Sequence, residues 1–371
     1  MISGLLGLFL IFQQTFVPPD YQSIQKGIAH IYSVQFDSAK TIFNSYIKKH
    51  PDRPEGYFFL SMVSWWNIIL DIENTALDEP FMKEMDKVIE KCETFIDNDL
   101  FADIALYYKG GCLGFKARLM ANRKQWVSAA NNGRKAYPIV SAALDGEFKF
   151  TDAKFGIGIY KYYADMIPEK YPILKPVMFF FPPGNRAEGL KALLDVKDNG
   201  LFARDEAAYF LINIYNNQEM NYKGAFELSK MLISKYPNNP YFKLTYGSSL
   251  LSTAQYEAGK KVYEDYLKNI EKNVRFYHVY QKTQVYYALG NANAYLKNYN
   301  TAQEFYEKSI TYYQSNPKNG QTNYYVESLL QTAYSLKKNG KADEAKKRFN
   351  LVLTLPDNSN SHERAKNGLY K

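Results

Sequence analysis

Apolar residues recur along this chain every three or four positions over stretches of twelve to twenty residues, separated by short polar breaks. That period belongs to amphipathic helices rather than strands. One stretch, "QFDSAKTIFNSYIKKHP" from Gln35 to Pro51, places Phe36, Ala39 and Phe43 along one helix face and then meets a proline. Nearly the same phrase returns as "NYNTAQEFYEKSITYY", with Tyr299, Ala302 and Tyr306, before Pro317. Further copies are Trp126–Ala129 before Pro138, Tyr222–Ala225 before Pro237, Tyr256–Gly259–Tyr263, and Ala342–Ala345–Phe349 before Pro356. The small residues of the last four copies are 34, 43 and 43 residues apart. Twelve positions upstream of several of them stands another small residue: Gly27, Ala117, Gly247, Gly290 and Ala333.

Each feature has a physical reading. Antiparallel helices approach closely only where side chains are small, so the two small positions predict a helix crossing. The aromatic four residues on shares that face and is expected to fill the space toward the next pair. The proline is expected to stop the second helix. The longer periods predict longer helices, with a helical run from Val274 to Lys297. This pattern resembles the tetratricopeptide repeat (TPR), a helix–turn–helix unit of about 34 residues. The resemblance implies an all-α fold: a right-handed helical-repeat solenoid of TPR-like antiparallel helix pairs, in which stacked units bury the faces that one unit cannot.

Four regions follow. Residues 1–19 read as a signal peptide or an apolar N-terminal helix, because the apolar run Leu5–Phe12 is followed by polar Gln13 and Gln14 and by Pro18–Pro19. A run this short does not span a bilayer. Residues 20–136 and 201–371 carry the repeats. Residues 137–200 lack the anchors and read as a Pro-rich helical insert, broken by prolines 168, 172, 176, 182 and 183. Gly156 and Gly158 in "FGIGIYKYY" serve close packing, since the third glycine and the strand of a dinucleotide fingerprint are missing. With "GNRAEGLKALL" and the upstream "GFKARLMANRKQWVSAA", this region is similar to a eukaryotic tetratricopeptide family of mitochondrial outer membranes and inclusion-body clearance, over residues 20–235. The likeness implies a non-enzymatic protein and brings no catalytic residues.

Composition narrows the function. Of the 371 residues, 46% are hydrophobic and 16% aromatic, ample for buried cores, and 33 are tyrosine. The net charge of +8 comes from lysines dispersed among acids, with few arginines, which argues for a solvated surface and against nucleic acid. Cys92 and Cys112 lack metal-ligand spacing and are expected to be buried thiols. His30, His50, His278 and His362 stand far apart, outside any metal or triad motif, and are expected to be structural. No Walker loop or nucleophile elbow occurs, so neither a cofactor nor a small-molecule substrate is indicated.

Binding is the better-supported class. The resemblance places the first helix of each pair along a concave groove. A spacing of four groups Tyr287, Asn291 and Tyr295 on one such face, and Leu330, Tyr334 and Lys338 on the next, with Phe210, Gln218 and Tyr241 extending the surface. Tyrosine rings and asparagine amides suit the grip of an extended peptide. Of the lysine/asparagine clamp that some TPR proteins use for chaperone tails, only Asn291 has a counterpart. The expectation is therefore a non-enzymatic protein-interaction scaffold that is exported, periplasmic or envelope-associated, with a cytoplasmic setting as the alternative. Two other readings stand beside it: an enzyme with its site in 137–200, and a membrane-apposed protein using the apolar tract 177–181.

Overall fold

The computed structural model describes residues 17–97, 102–144, 150–170, 175, 181–316 and 321–370. Among them there is no strand, and helices make up the regular structure. Contacts divide the chain into two compact units, residues 1–67 with 76–211, and residues 68–75 with 212–371. The predicted signal segment and the apolar tract fall, except for their last residues, outside the described residues.

The first unit contains α1 (Tyr21–Tyr32), α2 (Phe36–Lys49), α4 (Asp78–Asp97), α5 (Ala102–Asn122), α6 (Trp126–Leu144), α7 (Lys154–Lys170) and α8 (Arg186–Asn199). Helix α3 (Pro54–Leu70) and α9 (Arg204–Asn217) belong to it for most of their length. The second unit contains α10 (Tyr222–Lys235), α11 (Pro240–Ser252), α12 (Tyr256–Glu271), α13 (Lys282–Tyr295), α14 (Tyr299–Ser315), α15 (Thr322–Lys338), α16 (Ala342–Leu353) and α17 (Ser361–Tyr370). From α10 to α17 every helix packs on the next, and α13 also packs on α15, and α15 on α17. That is the layering of stacked helix pairs, an all-α TPR-like solenoid built as the spacing predicts.

The small residues hold the crossings. A Cβ built on Gly290 would lie 2.5 Å from the ring of Tyr306, and one on Gly27 would lie 2.5 Å from the ring of Phe43. At Gly247 the ring of Tyr263 stands at 3.0 Å. These aromatics close on the first helix of their own pair, and two also fill the space toward the next one: Phe43 stacks on Phe59 of α3 at 6.0 Å, and Tyr263 shares a core cluster with Val285 and Leu289 of α13. Phe349 likewise reaches forward, since a Cβ on Gly368 of α17 would overlap its ring.

The turns inside the pairs share a second device. Val34, Lys124, Ala254, Lys297 and Gly340 all have φ between 60° and 77°. In each case the next amide reaches back five residues: Gln35 to His30, Gln125 to Met120, Gln255 to Leu250, Asn298 to Asn293 and Lys341 to Leu336. This is the Schellman closure of a helix C-terminus. Only one of the five uses glycine, so the sequence carries no glycine signal for the other four.

Two expectations about prolines are corrected. Pro138 does not stop a helix but lies inside α6, and Pro168 lies inside α7. Beyond Pro138, Val140 and Ala143 are buried, and their packing keeps the chain helical despite the lost backbone donor. The crossing of α5 with α6 is made by Gly110 against Val140, while Trp126 stays 59% exposed. The run Val274–Lys297 is also not one helix. Asn273 (φ 53°) and Phe276 (φ 69°) turn left-handed, a 3-10 turn covers Val279–Gln281, and α13 starts only at Lys282.

Polar anchors fix the first unit. The buried Asp152 carboxylate accepts the amides of Leu201, Phe202 and Ala203 at 2.7, 2.8 and 2.5 Å, setting the entry to α9. Burial pushes its pKa above the ordinary value, opposed by those three amides, which lower it. Nearby, Arg118 Nη1 donates to Glu206 Oε1 at 2.7 Å, and its guanidinium lies over the rings of Trp65, Tyr209 and Phe210. Tyr32 adds a hydrogen bond to the other Glu206 oxygen at 3.0 Å.

Candidate partner-binding surface

In the second unit α13 and α15 pack side by side as the first members of their pairs, and the last helix, α17, packs on α15 in the same way. On α15 the residues 324, 327, 331, 334 and 338 follow a three–four spacing and all are half-buried or exposed. Tyr324 of this stripe meets Tyr287 of α13 with ring centroids 5.8 Å apart, and Tyr287 in turn lies 6.2 Å from Tyr306. The Tyr306 hydroxyl donates to Asn291 Oδ1 at 2.7 Å and so fixes that amide. One turn further on α13, Tyr295 is 62% exposed and stacks flat on Tyr256 at 4.5 Å. Tyr334 donates to the Arg364 carbonyl at 2.6 Å. The Arg364 guanidinium is held by both oxygens of Glu327, at 2.6 and 2.9 Å.

Burial keeps the phenols protonated. It raises Tyr287, Tyr306 and Tyr263, and pushes Tyr324 up to about 12, with the neighbouring Tyr287 adding to the rise at Tyr306 and Tyr324. The hydroxyls of Tyr306 and Tyr334 are spent on Asn291 and the Arg364 carbonyl, so what the surface presents is neutral rings. Its arginine and glutamate are already engaged with each other.

The predicted residues separate into three groups. Tyr287, Asn291, Tyr295 and Tyr334 lie in this arrangement, and Lys338 is exposed at the end of the α15 stripe. Leu330 does not: it is fully buried in the core with Val326, Ala333 and Phe349. It sits one residue off the exposed stripe, about 100° around the helix, and a 43-residue alignment cannot sense that rotation. Phe210 is likewise interior, between the Arg118 guanidinium at 4.2 Å and an edge contact with Phe155 in the first unit. Gln218 lies in the turn after α9 and Tyr241 in the first turn of α11, both half-buried and away from the contacts just described.

Sequence reasoning missed Tyr324, Tyr306, Glu327 and Arg364. The available signal was the stripe 324–327–331–334, readable once α15 is started at Thr322.

Other chemistry is sparse. Each histidine has a local neighbour: His30 with Gln35, His50 with Asp20, His278 with Asp71, and His362 with the Leu355 carbonyl. Among the described residues no group of three or more His, Cys, Asp or Glu is placed to hold a metal. Cys92 and Cys112 are free and buried, and burial pushes Cys92 up to about 12. A shallow depression of about 670 Å³ beside α14 is lined by Tyr286, Glu304, Glu307, Lys308 and Tyr312, with Glu307 tied to Arg348 at 2.8 Å. No helix among the described residues is long and apolar enough to cross a membrane.

The fold defines a helical-repeat protein. Two models of the tetratricopeptide repeat match the chain, at residues 283–316 and 327–357, which are α13–α14 and α15–α16. Residues 283–316 and 327–357 thus carry tetratricopeptide repeats, and they lie outside the 20–235 span compared above with the mitochondrial outer-membrane family. No curated protein matches it.

Among solved structures, the human IFIT1 dimer with m7Gppp-AAAA is similar at 12% identity, covering 91% of this chain and 68% of that one, with a TM-score of 0.44. NprR in complex with its cognate peptide NprX is similar at 10% identity, 95% and 82% coverage, and a TM-score of 0.36. Yeast Tom70 aligns at 9% identity, 94% and 95% coverage, and a TM-score of 0.29. Likenesses at these values carry no functional argument.

Proposed function

We propose that the protein is a non-enzymatic scaffold that holds a peptide or an extended protein segment against the first-helix surface of its second unit. The observation that carries this reading is the set Tyr295, Asn291, Tyr287, Tyr324 and Tyr334 on two adjacent first helices, none of them core or charged, with the Tyr287 and Tyr324 rings in contact between the helices. Aromatic rings with fixed amides between them grip an extended chain at small entropic cost, since each phenol has only two rotatable bonds. Stacked repeats use such surfaces for binding.

The test is panning of a random twelve-residue peptide library on the immobilised full chain. Wild type should enrich a related set of peptides. Tyr287→Ala/Tyr295→Ala should lose them, and Glu304→Ala/Lys308→Ala on the second-helix side should keep them. Enrichment that survives the tyrosine variant would remove this surface from consideration.

We further propose that the chain is exported and acts in an envelope setting, on the strength of the Leu5–Phe12 run and the polar residues after it. Sequencing the mature N-terminus from a fractionated cell tests this. An intact Met1 in the cytosolic fraction would sink it.

A further inference from the structure

We propose that the hairpin tip between α5 and α6 docks the protein on an anionic lipid surface, with Trp126 and Val127 dipping among the headgroups and Lys124, Arg134 and Lys135 facing the lipid phosphates. This contact lies in the first unit and is independent of the peptide surface proposed above.

The repeats supply their own comparison. In each copy the second residue of the second helix faces water. Five copies place a polar residue there: Asp37 in α2, Lys223 in α10, Glu257 in α12, Asn300 in α14 and Asp343 in α16, all exposed. In α6 the same position is Val127, 77% exposed, beside Trp126 at 59%. The other two tryptophans, Trp65 and Trp66, are fully buried. Core packing therefore explains neither residue of the pair, and the turn does not require them, since the other copies turn with a polar residue. Lys124 to Ser128 are exposed in succession, so the pair protrudes and lines no cleft.

Charge names the surface it meets. Between Asp103 and Asp145 the chain has seven basic residues and no acid. Four are matched from elsewhere: Lys109 by Glu93, Lys116 by Asp86, Arg118 by Glu206 and Arg123 by Asp78. The three left over, Lys124, Arg134 and Lys135, are exposed and meet no carboxylate among the described residues. Val127, Arg134 and Lys135 share one face of α6, with the charges about 10–12 Å along the helix from the apolar pair. An apolar tip with uncompensated cations behind it is the complement of a bilayer whose headgroups carry negative charge. Tryptophan favours that boundary, because its ring is apolar and its N–H stays wet. An acidic protein would satisfy the cations but would need a pocket of its own for a protruding Trp–Val pair.

The experiment is co-sedimentation of the full chain with vesicles of phosphatidylcholine alone, or with three parts in ten phosphatidylglycerol. Wild type should partition at least tenfold more strongly onto the anionic vesicles. Val127→Asp restores the residue of α2 and α16 and should lose at least tenfold. Arg134→Gln/Lys135→Gln should lose about twentyfold on anionic vesicles, about fivefold per charge. Vesicles with brominated acyl chains should quench wild-type fluorescence and not that of Trp126→Phe, because Trp65 and Trp66 are out of reach; this readout does not depend on the folding of the Val127 variant.

Equal partition onto neutral and anionic vesicles, or binding that Val127→Asp retains, overturns the proposal. Binding of a fluorescein-labelled decaglutamate peptide without binding of vesicles also overturns it and assigns the patch to an acidic protein.

Discussion

Replacing Gly290 by alanine sets two effects against each other. In a helix interior alanine is favoured over glycine by about 1 kcal/mol. Against that, the new methyl would stand 2.5 Å from Cδ1 and Cε1 of Tyr306, more than an ångström inside ordinary contact. The ring has little freedom to retreat: Tyr306 is 5% exposed, and its hydroxyl is tied to Asn291. Overpacking of this kind costs about 1–3 kcal/mol, and loss of the hydrogen bond adds about 1 kcal/mol. The crowding wins, and Gly290→Ala is expected to lose about 1–3 kcal/mol net.

Gly114→Ala is the control, because nothing lies within 4 Å of the Cβ it would carry, and it should gain about 0.5–1 kcal/mol. Urea unfolding of the full chain gives both values, and hydrogen exchange over residues 282–315 should rise only in the first variant. The double variant Gly290→Ala/Tyr306→Leu should be less destabilised than the sum of its parts, since the smaller side chain makes room. A Gly290→Ala protein as stable as wild type would refute the claim that ring-on-glycine contact sets the helix spacing.

Four other outcomes are expected. Val34→Gly should stabilise by roughly 0.5–1 kcal/mol, because a β-branched residue at φ 61° is strained by about 1–2 kcal/mol and glycine returns only part of that as chain entropy; urea midpoints decide it. Arg118→Ala leaves the Glu206 carboxylate with much of its burial and one partner fewer, and should cost about 3–5 kcal/mol, whereas Arg118→Met/Glu206→Gln should recover most of it. Ellman's reagent should find no reactive thiol in the native chain and two after denaturation, since burial raises both cysteines and holds Cys92 at about 12. Asp357 accepts the His362 amide at 3.1 Å, and that bond holds its carboxyl below the usual 3.8. A carboxylate depressed in the folded state contributes above its unfolded pKa and stops contributing as pH falls through the folded one, so the protection factors of the α17 amides should fall below about pH 4, and in Asp357→Ala they should be lowered already at neutral pH.

What the sequence disclosed follows from which interactions are local. The pairing of small and aromatic positions is written at fixed spacing within each unit, so the helix pairs and their crossings at Gly27, Gly247 and Gly290 were legible before any coordinates. That the same rings also close on the first helix of their own pair was not, because a ring four residues from its anchor reaches either neighbour. The turns were hidden for a related reason: four of five left-handed positions are Val, Lys, Ala and Lys, held by backbone bonds that any side chain permits. Pro138 misled because a proline's local cost is smaller than the burial gained beyond it by Val140 and Ala143.

The surface shows the same limit at higher resolution. Tyr287, Asn291 and Tyr295 were found because one helix face needs only a spacing of four. Carrying that face to α15 required the rotation of a second helix, where an error of one residue exchanges a fully buried Leu330 for the exposed stripe through Tyr324, Glu327 and Gln331. A solenoid repeats its core more faithfully than its surface, because the core must fit its neighbours while the surface need fit only a partner. An alignment on buried small residues therefore predicts packing well and binding residues badly. The stripe is better sought from the exposed side, as tyrosines and amides that follow a three–four spacing and that no core position explains.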